Sequence, residues 1–359
     1  MKLKHILPLF CLLICSCNHQ EEPETYETVG KINDSLKGIY ILNEGLFNMN
    51  NSSLTFVDAE KGIVQNNYFE KQNGRPIGDK ANDIAIYGSK MYIIVNVSST
   101  IEVTDLDAKS IKQIPLFSEN GIPRQPRYID FYEGKAYVTT FDGNVVKIDT
   151  TSLTVESITP VGRNPEGLCI ADNKLYIANS GGLDYNNNIG FDNTISIVDL
   201  NTFTETEKIT VNMNPYKVHC NQNNEVFVSS RGNYKDVNFA FLRINGNTVE
   251  ETYPNVFPLN FILFDHLALI YEFNYSTSES SIYQYDLTSK QRIDWAPAEL
   301  SSIKIPYGIS VDETNGDIYI TDSYNYTENG LVYCFTKDGQ KRFSFEVGLN
   351  PNKVVFIKK

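Results

Sequence analysis

The stretch that decides the fold runs from Val161 to Val211. It reads V-G-R-N-P-E-G-L-C-I-A-D-N-K-L-Y-I-A-N-S over 161–180, then an Asn-rich insert from Gly181 to Asp192, then N-T-I-S-I-V-D-L-N-T-F-T-E-T-E-K-I-T-V over 193–211. An Asn-Pro turn opens a short apolar strand over Gly167–Ala171, and the polar pair Asp172–Asn173 turns the chain into a second strand over Lys174–Asn179. Thr194–Asp199 alternates apolar and polar residues, and Glu205–Val211 closes the unit. Four short runs divided by turn chemistry, with no 3.6-residue period, predict an antiparallel sheet.

The same unit recurs along the chain. Its second-strand apolar residue returns at Tyr40, Tyr92, Tyr137, Tyr176, Phe227, Leu269 and Tyr319, roughly every 46 residues. The residue closing the third strand returns at Asp58, Asp105, Asp149, Asp199, Asn245, Asp286 and, out of step, Asp338. A proline marks the turn before the first strand at 126, 165, 215, 258, 306 and 351. Three markers in one phase predict an all-β, seven-bladed β-propeller of four-stranded antiparallel blades spanning 37–359. The first copy opens at its second strand, G-I-Y-I-L-N at 38–43, whereas N-P-N-K-V-V-F-I at 350–357 is a first strand with nothing after it. The C-terminal strand is therefore expected to close the first blade, which removes two open sheet edges.

Composition narrows the partners. Asp and Glu number 44 against 31 Lys and Arg, a net charge of −13, which argues against nucleic acid and against adsorption to an anionic membrane. Cys169, Cys220 and Cys334 each fall inside a predicted strand and are expected as separate buried thiols. No zinc-type Cys/His spacing and no nucleophile or metalloprotease motif occurs, and His219 and His266 are not placed to pair. The chain is therefore expected to bind rather than catalyse, as a monomer without a cofactor.

At the N-terminus, Lys2 and Lys4 precede the apolar run Ile6–Ile14 and then I-C-S-C, ending at Cys17. Residues 1–16 are expected to be an export signal, too short to span a bilayer. Residues 17–36 are polar and acidic and are expected to form a flexible spacer.

Longer inserts fall at one equivalent point, between second and third strands, which a closed ring brings to one face. Those loops and the links between repeats carry the expected ligand-binding residues: Phe47, Asn96, Arg124, Phe141, Arg163, Tyr185, Arg231, Tyr234, Tyr275 and Tyr324. Tyrosine offers flat contact area with a polar tip, and amides supply both donor and acceptor, which suits a large polar ligand. A second possibility is a ring of oxygen ligands at Asn43, Asn179, Glu272 and Asp322, which share one repeat position three residues beyond the second-strand marker.

The residues also carry resemblances. K-L-Y-I-A-N at 174–179 followed by N-T-I-S-I-V-D-L at 193–200 resembles the YVTN-type propeller repeat. Ser16-Cys17 resembles a bacterial lipobox, which implies lipidation of Cys17 and a protein held to the outer membrane only by its lipid, on the cell surface. I-Y-I-L-N-E-G-L-F-N-M-N-N-S-S-L-T-F-V-D at 39–58 is similar to the opening blade of Bacteroidetes surface lipoproteins of the BtuG type. That resemblance implies capture of cobalamin (vitamin B12) and delivery to a TonB-dependent outer-membrane transporter. The oxygen ring would instead match calcium-dependent propeller lactonases and gluconolactonases. A surface-layer or interaction scaffold would need no small-molecule pocket.

Overall fold

The computed structural model describes residues 27–359 apart from 275, 276, 278, 296 and 297; the side chains of 185, 186, 274, 298 and 299 are outside it. Seven four-stranded antiparallel sheets form a seven-bladed β-propeller. The deciding stretch becomes the fourth blade, with strands Pro165–Ala171, Lys174–Asn179, Thr194–Asp199 and Thr204–Thr210 in that order. First strands of neighbouring blades lie side by side around a central channel. The C-terminal strand Pro351–Lys358 pairs antiparallel with Leu36–Asn43 and completes the first blade, with Ile41 opposite Val354 and Ile39 opposite Phe356.

The repeat markers have physical jobs. The second-strand aromatics are buried, and three tyrosines reach out of their own blade to the next one. Tyr40 donates to the Leu106 carbonyl (3.1 Å), Tyr92 to Thr150 (3.5 Å) and Tyr176 to Gly246 (2.9 Å). Their rings help fill the apolar layers between blades, where Tyr40 and Leu42 pack with Ile84, Met91 and Ile93. The aspartates close the third strands as Asx turns. Asp58, Asp149, Asp199 and Asp286 each accept backbone N–H groups two and three residues ahead. A hydrogen bond from Lys135, with those amides, holds the Asp149 carboxyl well below the usual carboxylate range. The seventh blade differs from the sequence expectation. Its third strand ends at Phe335, and the Thr336 hydroxyl, rather than Asp338, accepts the turn amide, from Gln340 (3.1 Å).

Two further expectations need correction. The described end of the spacer is fastened down: Ile32 is buried with Val57, Phe345 and Val347, its N–H donates to the Ala59 carbonyl, and Val29 donates to Gly62. Apolar residues at 29 and 32 give this segment a face to bury, which the acidic composition of 17–36 as a whole conceals. Cys169 and Cys220 are joined in a disulfide (Cα–Cα 5.8 Å), while Cys334 is a buried free thiol as expected. The two bridged cysteines occupy first strands of adjacent blades, Pro165–Ala171 and Pro215–Cys220, 51 residues apart and thus about one repeat.

The feature that shapes the channel is a repeated bulge. Six first strands shift register against their second strand just after their opening residue. In the third blade Pro126 faces Thr140 and Ile129 faces Val138, so Arg127 and Tyr128 together oppose Thr139. The sixth blade, with Asn260–Phe264 paired regularly to Leu267–Asn274, is the exception. A bulge adds a residue without a ladder partner and re-aims its side chain, here into the channel mouth.

Candidate functional site

The bulges leave backbone amides to satisfy, and small hydroxyl residues of the second strands do it. Thr139 accepts the Tyr128 N–H and donates to the Glu166 carbonyl; Thr321 accepts the Gly308 N–H and donates to the Pro351 carbonyl; Ser229 accepts the Lys217 N–H. Glycine appears where neighbouring first strands press closest. A Cβ at Gly308 would lie 1.9 Å from the Asn352 carbonyl oxygen, and one at Gly167 would lie 2.6 Å from that of Tyr216.

The residues so aimed form two polar clusters at the mouth. In one, Glu44 meets Lys80 (2.5 Å), the Tyr307 hydroxyl (2.9 Å) and the Asn352 amide (3.0 Å), and Lys353 pairs with Asp83 (2.7 Å). In the other, Arg127 pairs with Glu166 (2.8 Å), hydrogen-bonds Asn82 and lies 4.4 Å over the Phe141 ring. Beside it the Tyr128 and Tyr216 hydroxyls are 2.7 Å apart, and Lys217 Nζ donates to Tyr128 (3.2 Å). The Arg231 guanidinium stacks 3.2 Å from the Tyr216 ring centroid.

Burial and charge split the two phenols. Burial raises Tyr128 well above its ordinary range. Burial acts the same way on Tyr216, but the Arg231 and Lys217 cations outweigh it and hold that phenol below its ordinary value. The two hydroxyls share one short hydrogen bond in which either can donate. Burial lowers the Lys217 ammonium and takes the His219 imidazole down to about 3, so His219 is neutral against Phe261 (5.0 Å, edge-on).

The channel has a volume of about 1110 Å³. Next to it, over the fourth and fifth blades, a rim pocket of about 410 Å³ is lined by Glu166, Phe191, Asn214, Arg231 and Tyr234. Arg231 lines both cavities and so connects them.

Asp130, deeper in the channel, has its carboxyl pushed up to about 6 by burial, although it accepts the Phe131 N–H (2.8 Å). A carboxyl raised on folding favours the folded state at low pH. The penalty is absent below the unfolded carboxylate value, grows as pH rises through about 6 and is constant above. Asp130→Asn should therefore stabilise the protein at pH 7.5 by about 1–2 kcal/mol and have almost no effect near pH 4, as urea unfolding at the two pH values would show.

The sequence-chosen residues scatter around this mouth. Arg231 and Tyr234 meet in the rim pocket, and Phe141 lies beneath Arg127. Phe47 is 66% exposed on the loop of the first blade. Asn96 is buried and donates to the Pro126 carbonyl (3.0 Å), tying the second blade to the third. Arg124 pairs with Asp142. Arg163 pairs with Asp184 (2.9 Å) and donates to the Gly190 carbonyl, which folds the 180–193 insert down. Tyr324 lies under Lys304 (4.0 Å). Tyr275, the Tyr185 side chain and Cys17 lie outside the described residues.

The four alternative metal ligands turn into their own blades. Asn43 donates to Ser53 and Thr55, and Asn179 donates to Thr194 and Ser196 while accepting the Gly162 N–H. Glu272 accepts from Phe257 N–H and the Tyr283 hydroxyl, and Asp322 accepts the Lys304 and Ile305 amides. Among the described residues no group of three or more His, Cys, Asp or Glu side chains could hold a metal ion.

Sequence reading missed Arg127, Tyr128, Glu166, Tyr216, Lys217 and Tyr307. A signal was present, since all six lie one or two residues after the turn prolines 126, 165, 215 and 306.

No curated protein matches the sequence. Among solved structures, the chain is similar to a quinonprotein alcohol dehydrogenase-like protein of Bacteroides thetaiotaomicron (16% identity, 89% of this chain and 78% of that one, TM-score 0.66). It is also similar to a 6-phosphogluconolactonase-like protein of Bacteroides fragilis (9% identity, 91% and 100%, TM-score 0.61) and to hydrazine synthase of Kuenenia stuttgartiensis (14%, 72% and 77%, TM-score 0.57). At these identities the likeness is one of fold. Residues 37–348, the whole ring except its closing strand, match a domain of unknown function, and the chain belongs to that family, DUF5074.

Proposed function

We propose that this protein is a lipid-anchored surface protein that captures a large polar solute at the channel mouth, cobalamin first, and hands it unchanged to a TonB-dependent transporter. The observation that carries the reading is the continuous surface from the Tyr128–Tyr216 pair, across Arg231, to Phe191 and Tyr234 in the rim pocket. A corrin ring presents a broad apolar face edged with amides, so aromatics suit the face and guanidinium or amide groups suit the edge. A preformed, rigid ligand loses little entropy on binding, so affinity needs no catalytic group.

Two further features support export and orientation. A disulfide belongs to an oxidising compartment. The described chain also crosses the face opposite the mouth, where Asn33 donates to Asp312 at the far end of a first strand (2.7 Å), which suits an anchor on the side away from the mouth. Among the described residues no helix is long and apolar enough to cross a membrane, and Cys17 is the proposed attachment.

Calorimetry with cobalamin tests the reading. Tyr234, 42% exposed, can be removed with little effect on melting, and Tyr234→Ala should weaken binding by about 2 kcal/mol, roughly thirtyfold. Absence of heat on titrating cobalamin into the wild type would remove this ligand.

A further inference from the structure

Six cations line the channel: Lys80, Arg127, Lys217, Arg231, Lys353 and Lys358. Four have a carboxylate partner, namely Lys80 with Glu44, Arg127 with Glu166, Lys353 with Asp83 and Lys358 with Glu313. Lys217 and Arg231 form no ion pair within 4 Å among the described residues; Asp83, which acts on Lys217, and Glu166, which acts on Arg231, are engaged by Lys353 and Arg127. They flank the same ring, with Lys217 Nζ 5.2 Å and the Arg231 guanidinium 3.2 Å from the centroid of Tyr216. Arg231 Nε is buried and reaches no acceptor among the described residues. The carboxylate beside them, Glu166, is already held by Arg127.

A half-buried cation without an ion-pair partner is costly, and two against one ring are more so, in a chain whose net charge of −13 offers carboxylates freely elsewhere. The Tyr216 ring faces and the Tyr128 hydroxyl offset part of that cost. The depressed Tyr216 phenol shows the same local excess of positive charge. An arginine beside a lysine, both at the edge of an open cavity, is the donor set that suits a tetrahedral or planar oxyanion.

We infer that Lys217 and Arg231 form an anion-binding subsite, at the join of channel and rim pocket, for one phosphate or carboxylate group. The subsite does not depend on the identity of the captured solute. If that solute is cobalamin, its phosphodiester is the group to be seated there, and cobinamide, which lacks it, tests the point.

The experiment uses the folded mature chain, with inorganic phosphate as probe and sodium chloride at equal ionic strength as control. Phosphate should raise the melting temperature of the wild type above its value in chloride. By calorimetry, Lys217→Met and Arg231→Gln should each lose about tenfold or more in phosphate affinity, while Lys217→Arg keeps most of it. Equal melting in phosphate and chloride, or equal phosphate affinity in wild type and both variants, would overturn the subsite. Should a variant fail to fold, saturable binding of one phosphate per wild-type chain in calorimetry decides, since phosphate also raises melting nonspecifically as an excluded salt. Absence of such binding would overturn the subsite. Cobalamin favoured over cobinamide about tenfold, with the preference lost in Arg231→Gln, would identify a ligand-borne phosphate; equal binding of the two corrinoids beside a clear phosphate effect would identify the free ion. Phosphate binding without cobalamin binding would leave the subsite standing and remove the ligand proposed above.

Discussion

A chain ending at Leu349 is expected to lose cooperative folding. Pro351–Lys358 is the innermost strand of the first blade, and its Val354, Val355 and Ile357 are buried in the two layers that join the first blade to its neighbours. Withdrawing three such side chains from apolar surroundings costs about 2 kcal/mol each, before any loss of ladder hydrogen bonds. That alone reaches the range of a typical domain's whole stability, about 5–15 kcal/mol. The cut also leaves the inner edge of Leu36–Asn43 unpaired, which invites association. Size-exclusion chromatography and urea unfolding should show aggregates and no single transition. A truncated monomer that unfolds like the full chain would show that the ring does not depend on its closing strand.

Breaking the Cys169–Cys220 disulfide should have the next largest effect. It joins the first strands of the fourth and fifth blades across 51 residues, beside the Tyr216–Lys217 bulge. Closing a loop of that length restricts the unfolded chain by about 4 kcal/mol on the entropic account. The double variant Cys169→Ala/Cys220→Ala should therefore melt about 5–10 °C lower than the wild type. Dithiothreitol should lower the wild type by a similar amount and leave the double variant where it is. A wild type that melts unchanged once thiol titration shows the pair reduced would contradict this.

Much of the fold was legible because its signals are periodic. Tyr, Asp and Pro recur in phase since each performs one job per blade: bridging to the next blade, capping the third-strand turn, and opening the first strand. The closing strand could be read from an N-P opening with no partner downstream. The out-of-step seventh aspartate was also informative, since Thr336 takes over the turn.

The site was less legible for a different physical reason. A bulge is a property of pairing, two residues against one, and leaves no period of its own, so Arg127–Tyr128 and Tyr216–Lys217 read as ordinary strand residues. Attention to loop aromatics found Arg231 and Tyr234 but also gathered residues with internal partners, such as Arg124 with Asp142 and Arg163 with Asp184. The disulfide escaped because each cysteine fills an apolar strand position. Their separation of about one repeat, on adjacent first strands, was the clue to their pairing.

The most direct measurement of the central claim, that the mouth holds a large solute without turning it over, is equilibrium capture. The folded mature chain is incubated with cobalamin and passed through a desalting column, and the protein fraction is read for corrin absorbance. One corrinoid per chain is expected, chemically unaltered on release, with co-elution lost in Tyr234→Ala. A protein fraction free of corrin absorbance at micromolar concentrations, or corrinoid released as a different compound, would contradict it.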